Sequence, residues 1–257
     1  MAIPALLSLL AIDGKQIDYN RARGGGNRSG KSKHGVATLI KDRVLLSFLF
    51  AAFLFHLANA AMLPQLGEML SKDNLKAAAP FMSACVIVTQ VVIAVSAAWV
   101  GRYAEQKGRR MLLLIGFGVL PIRGVLYTLT HATEMLIAIQ TLDGIANCIF
   151  GVVSVLVIAD RARGTGHFNL AAGCLATMVG IGAALSNAVG GAVIQHAGYA
   201  ASFRGLAAIA VAAFVILWLG VPETLGTSRE PSLPPPHELA FVSPEEGLDP
   251  LPHRSTT

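Results

Sequence analysis

Charge is scarce in this sequence. Only 14% of its 257 residues are Asp, Glu, Lys or Arg, while 54% are hydrophobic, and a soluble domain carries about a quarter charged residues. The shortage argues against a solvated globular domain and points to lipid. What charge there is collects at the two ends and in short gaps, and between Val44 and Gly220 long runs carry almost none. Cysteine is short as well. Cys85, Cys148 and Cys174 all fall inside apolar runs with no C-x-x-C spacing, so they read as small buried packing residues, and neither metal nor disulfide is expected. Strand-like alternation is missing, which leaves helices whose backbone groups are satisfied within each segment. A net charge of +5 raises nucleic acid as a partner, but the location of that charge argues otherwise.

About 20 apolar residues are needed to cross a hydrocarbon core. Six stretches qualify: Val44 to Leu63, Ala78 to Val100, Met111 to Thr130, Met135 to Ala159, Leu170 to Ile194 and Phe203 to Gly220. The expected fold is an all-α membrane protein, a bundle of six transmembrane helices occupying 44–221. Lys and Arg then fix orientation. Lys15, Arg21, Arg23, Arg28, Lys31, Lys33, Lys41 and Arg43 precede the first span; Arg102, Lys107, Arg109 and Arg110 fill the second gap, and Arg161 and Arg163 the fourth. The remaining gaps hold only Lys72, Lys76 and Arg204. By the positive-inside rule the first set is cytoplasmic and the second external, which puts both termini in the cytoplasm of a multi-pass protein of a cell membrane, plasma or bacterial inner.

Outside the spans, Ile3 to Ile12 is apolar but too short to cross. No positive residue precedes it and no small-residue cleavage site follows, so 1–12 reads as the remnant of a preceding membrane helix rather than a signal peptide. Residues 13–43 form a basic cytoplasmic linker. From 222 to 257 the chain is rich in proline and acidic residues without a period, and reads as a disordered cytoplasmic tail.

The linker contains GGNRSGKS, Gly25 to Ser32, which satisfies the phosphate-loop pattern G-x-x-x-x-G-K-[ST]. A phosphate loop joins a buried strand to a helix so that backbone donors converge on phosphate. Here charged DGKQIDYNRARG precedes it and a membrane span follows within a few residues. A nucleotide hydrolase is therefore rejected, no enzyme and no cofactor is expected, and the glycines mark a flexible linker.

Ionisable groups inside spans are costly, so each is a functional candidate. Arg123 lies seven residues before the end of the third span and Asp143 eight residues into the fourth. At 1.5 Å per residue both sit roughly 10 to 12 Å below the external surface. They can pair across the hairpin, either as a static lock or as a carboxylate that takes up a proton and releases its arginine. Gln140, Asp143 and Asn147 fall at i, i+3 and i+7 on one helix face. His56 and Asn59, three apart, share a face of the first span; a lone histidine is either a satisfied bundle residue or part of a proton or substrate path. Gly182, Ser186 and Gly190 recur every four residues in the fifth span, a spacing that lets two helices approach closely. Pro121 removes a donor from the third span and is expected to kink it.

The second gap, GRYAEQKGRR from Gly101 to Arg110, resembles the loop signature of the major facilitator superfamily of transporters, G-x-x-x-D-[RK]-x-G-R-[RK]. Gly101, Gly108, Arg109 and Arg110 match; Glu105 stands where Asp is usual and Gln106 where a basic residue is usual. QHAGYAASFRGLAAI is similar to the family's approach to its last helix, and VPET at Val221 to Thr224 to its exit from it. The resemblance implies the C-terminal half of a twelve-helix secondary porter moving a small solute by alternating access, driven by an ion gradient, with protons a candidate ion and the N-terminal six-helix half as the partner. An apolar cavity with few polar groups leans toward efflux of amphipathic compounds. The resemblance also makes the fourth span the tenth helix, which lines the central cavity, so Gln140, Asp143 and Asn147 become substrate-facing candidates, with plain interhelical hydrogen bonding as the competing account. It gives the Gly101–Arg110 loop a role in stabilising one conformation, against the plainer reading of a basic turn. The other class of function is a non-transporting truncated membrane fragment or assembly partner.

Overall fold

The computed structural model describes residues 41–73, 75–163 and 167–225. These lie in the compact unit Met1–Thr227; a second unit, Ser228–Thr257, falls outside the described residues. So do 1–12, nearly all of the linker including Gly25 to Ser32, and the tail beyond 225.

Among the described residues six helices follow one another: α1 (Arg43–Asn59), α2 (Met62–Asp73), α3 (Leu75–Lys107), α4 (Arg110–Leu126), α5 (Thr133–Ala162) and α6 (Phe168–Gly220). No strand is present among the described residues. Asp42 starts α1, its carboxylate accepting from the N–H groups of Val44 at 3.0 Å and Leu45 at 3.2 Å, which satisfies two donors left open at a helix start. α1 and α2 make up one apolar stretch, Arg43–Lys72, with a turn at Ala60 and Ala61. The turn has a covalent cause and a packing cause. Pro64 brings no N–H to the carbonyl of Ala60, and the Ala61 N–H leaves the helix to donate to Ser186 Oγ at 2.9 Å.

α6 is interrupted at Gly198, whose φ of 80° and ψ of 174° are non-helical. A side chain there is disfavoured, and glycine permits the chain to fold back. Two limbs result, 168–197 and 199–220, and the shorter is about 33 Å long at 1.5 Å per residue. Arg43–Lys72, α3, α5 and α6 are each long and apolar enough to cross a membrane; α4 has 17 residues, about 25 Å, and continues through Pro121 as one helix.

Several helix ends differ from hydropathy limits. α3 passes beyond Val100 through GRYAEQK to Lys107, so the first part of the loop motif is helical, and the first span continues past Leu63 to Asp73. Hydropathy marks the stretch that hydrocarbon demands, while hydrogen bonding carries a helix on into polar sequence. The third span is shorter than its apolar run, because residues 127–129 form a turn.

α1 lies along α6, α3 along α5, and α4 against both α5 and α6. At the α1–α6 contact a Cβ on Gly182 would overlap the carbonyl oxygen of Phe53, so only glycine permits this separation. An aromatic cluster closes the centre: the Phe55 ring lies 4.7 Å from Phe117 and 5.1 Å from Phe150, stacked on the latter. The outer surface is the inverse of a soluble protein's. Val95 is 78% exposed, Leu219 74% and Ile87 61%, apolar area that a bilayer covers and water would penalise. Of the cysteines, all expected to be buried, Cys85 and Cys148 are, but Cys174 is exposed, because it lies beside exposed Gly173 on the outward side of the first limb of α6, and an apolar run does not say which side of a membrane helix faces inward.

Candidate functional site

The turn between α4 and α5 makes those helices antiparallel and brings two pairs level: Arg123 with Asp143, and, one turn nearer the hairpin, Tyr127 with Gln140. Arg123 Nη1 donates to Asp143 Oδ1. Its Nη2 donates to Asn59 Oδ1 at 2.5 Å and lies 3.1 Å from Met62 Sδ, so the residues flanking the α1–α2 turn complete the guanidinium's surroundings. The arginine is 1% exposed.

Both oxygens of Asp143 are fully engaged. Oδ1 also accepts from Asn147 Nδ2 at 2.8 Å. Oδ2 accepts from Gln140 Nε2 at 3.0 Å and from Thr89 Oγ1 of α3 at 3.4 Å. Gln140 Nε2 also reaches Thr89 Oγ1 at 3.3 Å, and its Oε1 accepts from the Tyr127 hydroxyl at 2.5 Å. Asn59 Nδ2 donates to Asn147 Oδ1 at 3.4 Å, closing the ring of contacts. Three helices, α3, α4 and α5, thus meet on one carboxylate, and α1 and the first turn of α2 join them through the Arg123 guanidinium. Desolvating two charges costs several kcal/mol each, roughly, and their attraction offsets this only with such complete hydrogen bonding.

The spacing of Gln140, Asp143 and Asn147 places all three in this network, but not equally. Gln140 is fully buried, whereas Asn59 and Asn147 are half-buried at its edge. His56 stands apart. Its Nδ1 donates to the Ala52 carbonyl at 3.1 Å, and its ring meets Phe150 edge-on at 4.6 Å, so it touches none of the network. Gly182, Ser186 and Gly190 are buried on the side of α6 that meets α1 and α2; the space beside Gly190 is filled by the Gln65 amide. Among the described residues no three His, Cys, Asp or Glu side chains converge as metal ligands would.

A second polar assembly sits at the bundle end that carries Gly108. Glu223, just past α6, accepts from the N–H of Arg109 at 2.9 Å and of Arg110 at 3.1 Å, supplying from a distance the cap that Arg109 does not give α4 itself. Arg110 Nη2 donates to the Trp218 carbonyl at 2.8 Å. Arg109 pairs with Asp160 at 3.0 Å, both nearly buried, and the next residue, Arg161, holds Asp42 through Nε at 2.8 Å and Nη2 at 2.5 Å. The end of α5 is therefore tied to the starts of both α1 and α4. Within the loop motif, Gly101 is half-buried near Val152 and Glu105 is exposed; the carboxylates that engage the motif are Glu223 and Asp160.

Burial pushes the Glu223 carboxyl up, but N–H donation from Arg109, Leu225, Arg110 and Thr224 outweighs it, and the net direction is below the ordinary value of 4.5. A carboxylate depressed on folding contributes stability that is present above its unfolded pKa and is lost as pH falls through the folded one. The start of α4 is therefore expected to loosen only in acid, below the ordinary carboxylate range. Amide hydrogen exchange at Arg109 and Arg110, corrected for intrinsic rates, should accelerate there by about fivefold, the size of an anion's effect at a helix N-terminus. In Glu223→Gln the exchange should be fast at neutral pH and lose that dependence.

Sequence reasoning passed over Met62, Thr89, Tyr127, Asp42, Asp160 and Glu223. For Tyr127 a signal existed: it stands four residues after Arg123, as Gln140 stands three before Asp143, and an antiparallel hairpin that aligns one pair aligns the other.

With this geometry in hand, comparison with known proteins adds a lineage. A family model described as Major Facilitator Superfamily matches residues 48–246. Two curated relatives from Mycobacterium tuberculosis, strains CDC 1551 / Oshkosh and ATCC 25618 / H37Rv, each bear the name of an uncharacterized MFS-type transporter. Each is 41% identical over 228 residues, covering 88% of this chain and 54% of the relative. The chain spans about half the length of the curated relatives it matches.

Proposed function

The chain belongs to the major facilitator superfamily, and from that premise we propose that it forms one half, the C-terminal one, of a secondary porter that exports a small amphipathic solute, driven by a proton gradient. In this reading α1 with α2, α3, α4, α5 and the two limbs of α6 are six crossings of a cell membrane. The Gly108 end faces the cytoplasm, as do both termini, in accord with the distribution of Lys and Arg.

One observation carries the proposal: a buried Arg123–Asp143 pair, in the middle of an apolar bundle, with every side of the carboxylate occupied by a donor. Such a pair contributes little net stability compared with apolar packing. It does supply two states. With Asp143 ionised the four contributing helices are held together; with Asp143 protonated the cation loses its partner and the helices are freed to rearrange. Asn59 and Asn147, half-buried at the edge of the network, with His56 one turn away, are the side chains through which solute or proton would approach it. At the other end, Gly101, Gly108, Arg109 and Arg110 with Glu223 and Asp160 form a clasp suited to holding one conformation, while Glu105 remains exposed and available to the missing partner.

That partner is the other six-helix half. α6 presents a second small-residue face, Gly173, Thr177, Gly180, Ala184, Asn187 and Gly191, which lies half-buried or exposed and is spaced for close helix contact.

The experiment is dye transport. The chain is expressed alone and together with the part of the Mycobacterium relative that it does not match, and ethidium efflux is followed with and without a protonophore. Efflux in the paired arm that stops with the protonophore and with Asp143→Asn is the expected result. Ordered, membrane-inserted protein with no efflux in either arm would overturn it in favour of a non-transporting fragment.

A further inference from the structure

The Tyr127–Gln140 contact stands one turn from the ion pair and has no place in the coupling scheme so far. A carboxamide has two ends of nearly the same shape, one a donor and one an acceptor, so its surroundings decide which end faces Asp143. On one side of the Gln140 amide is the Tyr127 hydroxyl, 1% exposed as a residue and donating to Oε1 at 2.5 Å. On the other are Asp143 Oδ2 and Thr89 Oγ1, both within reach of Nε2. The Tyr127 ring is fixed in turn by Phe203 of α6, 5.5 Å away, and by the Arg123 guanidinium 5.6 Å over its face.

We propose that Tyr127 is a positioning residue: its hydroxyl holds the Gln140 amide with its donor end toward Asp143 Oδ2, and so keeps that carboxylate ionised and paired with Arg123.

The physical argument compares the two orientations. With Asp143 ionised, the observed orientation gives Oδ2 a donor and the buried hydroxyl an acceptor. When Oδ2 carries a proton it donates, and its nearer partner, the Gln140 amide at 3.0 Å against 3.4 Å for Thr89 Oγ1, can accept that proton only by turning to offer Oε1. The turned amide presents Nε2 to Tyr127, and the hydroxyl proton loses the acceptor that it has in the observed orientation. An orphaned buried polar group is costly, so the tyrosine weights the balance toward the ionised form. The titratable and charged groups that face the site are Arg123 and Tyr127 from α4, and Cys85 from α3 beside the phenol. α1 and α2 contribute the neutral Asn59 and Met62, with His56 a turn away, and the second limb of α6 contributes Phe203.

The inference rests on the reading of Asp143 as the group that gains and loses a proton, yet it can be tested without transport. The full chain in liposomes is titrated by infrared difference spectroscopy, following the carbonyl band of a protonated carboxylic acid, assigned to Asp143 by its loss in Asp143→Asn. Tyr127→Phe keeps the ring and removes only the hydroxyl. It is expected to raise proton affinity about tenfold, moving the midpoint up by about one pH unit. Gln140→Met, close in shape, should also raise it, and in that background Tyr127→Phe should add nothing, since the two act as one unit. A purely structural role for the tyrosine gives independent, additive effects in the double variant.

An unchanged midpoint in Tyr127→Phe, or additive shifts with Gln140→Met, overturns the proposal. A band absent from the wild type throughout the titration but present in Tyr127→Phe supports it, and one absent from both overturns it. Should the midpoint move while Asp143→Asn still couples proton flux to ethidium efflux, the positioning role stands and only the coupling reading falls.

Discussion

Arg123→Met is expected to destabilise the chain by about 3–5 kcal/mol, because it leaves the Asp143 carboxylate buried without its cation. Asp143→Leu should cost a similar amount by stranding the guanidinium, whose Nε already has no hydrogen-bond partner. The informative variant is the double one. Arg123→Met with Asp143→Leu replaces the pair by apolar packing and should recover to near wild-type stability or exceed it. Exchanging the charges, Arg123→Asp with Asp143→Arg, should recover less, because Asn59, Asn147, Gln140 and Thr89 are placed for the native polarity. Denaturant unfolding in mixed micelles, read by helical circular dichroism, measures all four. Ethidium efflux in the stable double variant then separates two roles: intact efflux would mean that the pair is a static lock, and the proposal requires that efflux be lost.

Gly108→Leu is expected to reduce transport about a hundredfold while leaving membrane insertion within about twofold. Two costs converge at this residue. Its φ is 107°, a backbone state that costs a residue with a side chain about 1–3 kcal/mol. A Cβ would also overlap the Glu223 carboxylate and drive it from the Arg109 and Arg110 N–H groups, each such bond to a charged group contributing about 1.5–3 kcal/mol. Insertion depends on apolar length and flanking charge, which the variant leaves alone; the clasp between α4 and the end of α6 is what it destroys. Quantified membrane levels beside efflux rates check this, and wild-type efflux would remove the case for the clasp.

Much of the bundle was legible because its two strongest signals are nearly one-dimensional. Apolar length marks a membrane helix, and rise per residue sets depth, so Arg123 and Asp143 could be assigned one level from counting alone. The three-and-four spacing of Gln140, Asp143 and Asn147 likewise fixes a shared face. What counting leaves out is rotation about each helix axis relative to its neighbours. That rotation brings Thr89 to the carboxylate and turns His56 toward Phe150 instead, and a threonine or a histidine in an apolar run gives no sign of it, whereas Tyr127 could be placed beside Gln140 by the same counting that aligns Arg123 with Asp143. The Gly108 end shows a different blind spot. Arg161 reads only as a topology marker and VPET only as an ending, and the acidic Asp42 and Asp160 have no part in that reading, so partnerships between residues far apart in the chain leave no trace in local pattern. Helix ends shifted because hydropathy stops at the hydrocarbon boundary and backbone hydrogen bonding does not.

The accessibility of the cysteines has a practical consequence. Cys85 and Cys148 are enclosed and Cys174 is open, so a maleimide probe has a single native target in a chain with three thiols, and no cysteine needs to be engineered out. That target sits on the limb of α6 whose small-residue face is proposed to receive the other half. The rate at which it is alkylated in the unmodified protein therefore serves as an occupancy gauge: fast when the limb is bare, slow when another helix covers it, and intermediate in proportion to the time spent between.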